Sequence, residues 1–181
     1  LFSSAASDVY KRQVPLRIRC DLSAQLVESL VLGELDTVVA IAHEANEDQL
    51  TAAWEAKLIW VTSLDLTLDD GEAVPLIVHP EGCEYRKRMV ESLNAAGRAW
   101  YVSYQSPDLA SLQEAVVNGM GVRALTRLTL DERMTILDVD QGFPALGNIK
   151  IGLYTAGKYQ SVDEVNLIND WLSKSLARDR H

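Results

Sequence analysis

"AWYVSYQSPDLASLQEAVVNGMGVRALT", residues 99–126, holds a complete strand–helix–strand unit, and its reading decides the fold. "AWYVSYQ" (99–105) reads as a strand. Ser106 as cap, Pro107 at the first helical position and Gly119 just past the end frame a helix over 106–119. "VRALT" (122–126) is the second strand. Strands joined through a helix run the same way, so the unit predicts parallel pairing. "NGMGVRAL" (118–125) also places two glycines ahead of a strand. A helix ending at Gly119 accounts for them better than a nucleotide loop, because no G-x-G-x-x-G or Walker spacing occurs.

The same alternation extends in both directions. Upstream, "PLIVH" (75–79) is a strand and "EYRKRMVESLNAAG" (84–97) a helix closed by Gly97. Further back, "LRIRC" (16–20) alternates apolar and polar residues as a strand does. "DLSAQLVESLVLGELD" (21–36) is a helix with Leu22, Leu26, Val27, Leu30 and Val31 on one face, Asp21 or Ser23 as cap and Gly33 at its end. "TVVAIA" (37–42) is a short apolar run of the kind buried in parallel sheets. "AKLIWVTS" (56–63) is another strand. The polar stretch 64–74, with Asp69, Asp70 and Gly71 at its centre, reads as a connection between units. Downstream, "MTILDV" (134–139) and "NIKIGLYTA" (148–156) are strands. A helix over 161–177 is expected to open with a Ser161/Glu164 capping box and to carry Val165, Ile168, Trp171, Leu172 and Leu176 as its apolar stripe. The prediction is an α/β protein with a mainly parallel sheet covered by helices.

The chain has 181 residues, 48% of them hydrophobic and 24% charged, enough for one domain or two small lobes. No apolar run reaches the ~20 residues of a membrane span. Residues 3–13, "SSAASDVYKRQ", have neither an apolar period nor a signal-peptide core. All eleven look like the in-frame translation of a transposase adapter used to prepare DNA sequencing libraries. Residues 1–13 are therefore expected to be non-native, and the natural polypeptide is expected to continue upstream of Val14. The formal net charge is −9; Asp8, Lys11 and Arg12 contribute +1 to it, leaving −10 for the rest. So acidic a surface repels phosphate backbones, which argues against nucleic-acid binding by this segment itself. Cys20 and Cys83 are too few for a disulfide framework or zinc site, and a reducing compartment is the simplest reading.

Motifs for chemistry are sparse. His43, His79 and His181 have no metal-ligand spacing, and neither G-x-S-x-G nor H-E-x-x-H occurs. No cofactor is called for. Cys20 ends an apolar strand and reads as core. Cys83 precedes a helix, where it reads as a small half-buried residue rather than a reactive thiol. Arg86 lies in the first turn of its helix, against the macrodipole. A cation placed there at some cost suits a carboxylate ligand, or equally an ion pair with Glu91 or Asp108. Trp54, Trp60 and Trp171 read as core. Trp100 alone is also a candidate to face a cleft.

The order of these pieces resembles the effector-binding domain of LysR-type transcriptional regulators. "PLRIRCDLSAQLVESLVLGELDTVVA" (15–40) matches the family's proline, small polar helix opening and L…L…G-x-L-D run at Pro15, Ser23, Leu26, Leu30, Gly33, Leu35 and Asp36. Val116, Gly119, Gly121, Val122 and Leu125 fit its V-x-x-G-x-G-[IV]-x-x-L. The Cys83–Arg86 stretch and "AAGRAW" (95–100) are similar to one branch, the regulators of motility and exoenzyme genes. The resemblance covers residues 14–177 and lacks the winged helix-turn-helix, the linker helix and the first strand and helix of the effector domain.

It implies two α/β lobes joined by crossover strands, like type 2 periplasmic binding proteins, with the first lobe incomplete. Lobe I would be 14–63 plus 151–181 and lobe II 64–150. It also implies a small-molecule effector, possibly a small organic acid, in an interlobe cleft lined by helix N-termini, with Ser23, Cys83, Arg86, Ser106 and Pro107 as effector-binding residues. Asp21, Glu81, Glu84 and Asp108 crowd those openings and would oppose an anion unless they cap the helices and point away. A cytoplasmic homo-oligomer, with DNA bound only through the missing N-terminal part and no membrane contact, completes the expectation. The alternatives are a periplasmic solute-binding protein of the same fold, an enzyme on that fold, for which no acid–base pair speaks, and a regulator using Cys83 as a redox sensor.

Overall fold

The computed structural model describes residues 15–42, 44–68 and 71–177. The segment read as adapter-derived, Val14, His43, Asp69, Asp70 and His181 lie outside the described residues. The chain divides into two compact units, one of residues 1–55 with 150–181 and one of residues 56–149.

The first unit opens with α1 (Ser23–Val31), followed by β1 (Thr37–Ile41). A 3-10 segment, Glu44–Gln49, leads into β2 (Leu50–Ser63), whose second half belongs to the other unit. The chain returns through β7 (Asn148–Thr155) and ends in α4 (Asp163–Leu176). β1 pairs with β7 antiparallel, Thr37 opposite Thr155 through Ile41 opposite Ile151. Val27 and Leu30 of α1 bury against Val38, Ala40, Tyr154 and Ala156. On the other side a polar ladder orders the sheet. Thr37 Oγ1 donates to Asn169 Oδ1 (2.8 Å), Asn169 Nδ2 to Thr155 Oγ1 (2.9 Å), and Thr51 and Thr155 hydroxyls meet at 3.0 Å. Asn169 is buried, so its amide is satisfied from α4 to β1 and β7 together.

The second unit contains β3 (Val74–Val78), α2 (Glu84–Ala95), β4 (Trp100–Gln105), α3 (Leu109–Val117), β5 (Arg123–Thr126) and β6 (Met134–Leu137). β3 and β4 are parallel, as the β–α–β reading requires. Val122 joins the far edge of β3, its N–H donating to Pro75 O (2.7 Å) and its carbonyl accepting from Ile77 N–H (2.9 Å). β2 then runs antiparallel to both β5 and β6. Ile59, Val61, Ile77, Leu112, Ala115, Val116, Leu125 and Met134 form the core under α3.

Several expectations are corrected. Residues 16–20 form no strand; residues 15–21 are exposed and unpaired in any sheet, Cys20 among them. Alternation marks two faces, but a strand persists only where its backbone groups find a partner. The sheet pairings are mostly antiparallel rather than parallel, because β2 and β7, the two segments passing between units, oppose the strands they join. β2 also begins earlier than the predicted 56.

Three caps differ as well. Asp108, not Ser106, caps α3, its carboxylate accepting from Ser111 N–H at 2.7 Å. Pro107 therefore precedes the cap. α1 has Leu22 at its N-cap without a side-chain cap, and α4 has Val162 there, so neither Asp21, Ser23 nor the Ser161/Glu164 box caps a helix. Gly33, Gly97 and Gly119 end their helices with positive φ, as expected.

Candidate functional site

α2 and α3 both start beyond the C-terminal ends of β3 and β4, where Val78 lies opposite Gln105. In sheets built from β–α–β units this end is where ligands bind, since helix N-termini present unpaired N–H groups there. Four of the five predicted residues gather at it: Cys83, Arg86, Ser106 and Pro107. Cys83 is the N-cap of α2, buried at 9% exposure, and gives no side-chain cap bond. Arg86 Nη1 donates to His79 O (3.2 Å) and Gln105 Oε1 (2.9 Å), with Nη2 3.7 Å from the exposed Glu81. Neither Glu91 nor Asp108 is its partner; Arg86 instead clasps the ends of β3 and β4. Ser106 Oγ accepts from Asp108 N–H (3.1 Å) and Ser111 Oγ–H (2.7 Å), closing the turn ahead of α3. Pro107 is exposed. Ser23, the fifth, belongs to the first unit, where its hydroxyl accepts from Ile41 N–H (3.1 Å) and ties the start of α1 to the end of β1.

The four acidic residues at these openings are each engaged. Asp21 meets Arg19 (3.0 Å) and Leu22 N–H, Glu84 meets Arg88 (2.8 Å), Glu81 leans on Arg86, and Asp108 caps α3. The Ser111 N–H holds the Asp108 carboxyl below the ordinary carboxylate range. Among the described residues no group of His, Cys, Asp and Glu is arranged to hold a metal, and no helix is long and apolar enough to cross a membrane.

Two residues of this region escaped the sequence reading. Arg123 is 3% exposed on β5, and its Nε and Nη1 have no hydrogen-bond partner. His79, at the end of β3, has a buried Nδ1 in the same condition. Burial first, and the charge of Arg123 second, hold the His79 imidazole below its ordinary value, while Ser106 and Asp108 work the other way. A signal existed for Arg123: a cation in a short strand, "VRALT", whose other residues are apolar or small. His79 carried none beyond being a histidine at a strand end.

A depressed imidazole has a definite consequence. The unfolded chain takes up its proton first, so the stability gained from a neutral His79 is full above about pH 6.5 and declines as pH falls below it. Urea midpoints of wild type and His79→Gln are expected to diverge between pH 7 and 5, wild type losing more. Parallel curves would show that His79 titrates normally.

The LysR substrate binding domain profile matches residues 11–156. The chain belongs to the LysR substrate-binding domain family. The HTH-type transcriptional regulator PecT of Dickeya dadantii is 28% identical over 126 residues, covering 68% of this chain. The chain spans only 39% of that curated relative. The regulatory domain of HypT from Salmonella typhimurium superposes with a TM-score of 0.70 at 17% identity, covering 97% of this chain and 91% of that one. The CcmR regulatory domain of Synechocystis PCC6803, in complex with 2-PG, does so at 0.65 and 16%, covering 98% and 89%. The fold is thus the type 2 periplasmic-binding-protein-like fold of LysR regulatory domains, and the family is one of transcription regulators rather than enzymes. This sets aside the solute-binding alternative.

Proposed function

We propose that this chain is the sensing part of a cytoplasmic, DNA-binding transcription regulator. Its two units act as lobes, and it binds a small-molecule effector through Cys83, Arg86, Ser106 and Pro107, with Ser23 as a further contact. The observation carrying this reading is the pair of helix starts, α2 and α3, set together beyond the parallel strands β3 and β4 in a LysR-family chain. The related CcmR domain was solved with 2-PG, which supports a small organic ligand. The acidic surface leaves DNA contact to another part of the protein. Exposed Val31 and Leu32 at the end of α1, and Leu109 on α3, offer apolar surface for subunit pairing.

A ligand regulates only by binding two states with different affinity. Fluorescence anisotropy with the full-length protein and its operator is therefore expected to show an effector-dependent affinity change of about 5-fold or more. Equal DNA affinity with and without a ligand that demonstrably binds would sink the sensing role, as would a chain that carries no catalytic silence and turns the ligand over.

A further inference from the structure

We propose that Arg123, rather than Arg86, is the residue that receives the effector, and that the effector carries a carboxylate. This rests on the sensing role above and adds the chemical class of the ligand.

Arg86 is partly committed: its Nη1 donates to His79 O and Gln105 Oε1, and its Nη2 faces Glu81 at 3.7 Å. Arg123 is the opposite case. It is 97% removed from solvent by its 3% exposure, yet Nε and Nη1 donate to nothing. The ion pairs of the described residues use Arg19, Arg86, Arg88 and Arg133, and none reaches Arg123. A buried guanidinium with two of its three nitrogens unpartnered is costly and calls for a partner. Burial lowers its pKa only to about 10, so it stays charged at neutral pH.

Its surroundings are those of a receptor. Cys83 and Tyr85, at the N-cap and first turn of α2, lie close enough to influence its charge, and that charge in turn depresses His79. Cys83 caps no N–H of α2, so the helix start keeps donors free of side-chain caps. Unpaired guanidinium donors, an uncapped helix start and the unpartnered Nδ1 of His79 thus meet at one end of the unit. A planar carboxylate matches the guanidinium fork, two parallel N–H···O bonds at once. Arg86 is offset by Glu81, which leaves the charge of Arg123 for a carboxylate to balance.

The test uses thermal melts of the whole chain at constant ionic strength with acetate, benzoate and succinate, each against its amide. Wild type is expected to gain roughly 5 °C from at least one carboxylate at concentrations on the order of a hundred times Kd, and nothing from the amide. Arg123→Met should lose that response while melting, without ligand, at or above the wild-type temperature, because an apolar side chain replaces an unpaired charge. Arg123→Lys should bind about tenfold more weakly, keeping the charge but losing the fork. Should Arg123→Met not fold, unchanged affinity in Arg123→Lys overturns the proposal and the tenfold loss sustains it. No carboxylate response in wild type, or an equal one in Arg123→Met, also overturns it. A neutral ligand that stabilises wild type and Arg123→Met alike defeats the role of Arg123 and leaves the sensing role intact.

Discussion

Gly121→Ala is expected to destabilise the protein by on the order of 3–4 kcal/mol, a large part of the 5–15 kcal/mol that separates most native domains from unfolding. A Cβ at this position would collide with Pro75 O, lie 2.8 Å from Ser103 Oγ and 3.0 Å from Pro75 C, and sit on a residue with φ of +156°. Two of these neighbours are backbone atoms of β3 and cannot swing aside. Nor can the loop retreat, because Val122 N–H is bonded to Pro75 O and Gly121 O accepts from the buried Thr62 hydroxyl (3.1 Å). The substitution therefore separates β5 from β3, and with them the strands that position α2 and Arg123. Urea unfolding followed by circular dichroism measures the effect. Gly157→Ala, where an added Cβ meets nothing within 4 Å, is the control and is expected to be near neutral. Equal midpoints for the two variants would mean that the close approach at Gly121 is not needed.

Trp60→Ala is expected to cost about 3–5 kcal/mol, the usual range for truncating a buried aromatic side chain. Trp60 is 3% exposed in the second half of β2 and donates Nε1–H to Pro144 O at 2.7 Å. Phe143 packs on it, ring centroids 5.4 Å apart and tilted 57°, and the Arg98 guanidinium covers Phe143 at 4.3 Å. Arg98 in turn holds Gly142 O at 2.6 Å. Removing the indole empties the centre of that stack and leaves a carbonyl without its donor. Trp60→Phe keeps most of the packing but loses the hydrogen bond and part of the ring volume, so a smaller cost of about 1–3 kcal/mol is expected. If both variants unfold at the same urea concentration, the stack contributes nothing beyond the bond to Pro144.

The candidate site was half legible. Cys83, Arg86, Ser106 and Pro107 do gather at one end of the second unit, because a helix following a parallel strand must begin at that strand's C-terminal edge. Their individual roles were not legible. Ser106 and Asp108 are both good capping residues two positions apart, and which one caps depends on where the turn lets the helix start. Arg86 stands out in the sequence for sitting against the dipole, yet its Nη1 is engaged in holding two strand ends. Arg123 was passed over because it carries no motif; its significance lies in what fails to surround it.

The sequence by itself determined the elements: helices read over 84–97 and 106–119 and found at 84–95 and 109–117, their glycine stops, and the apolar strands between them. Apolar period and glycine breakers are local properties, and local physics suffices to place them. Only the tertiary structure decided the antiparallel pairing of β1 with β7 and of β2 with β5 and β6, the failure of residues 16–20 to join a sheet, and the unpartnered Nε and Nη1 of Arg123. Each of those depends on which distant groups come within hydrogen-bonding distance, and no periodicity along a chain records that.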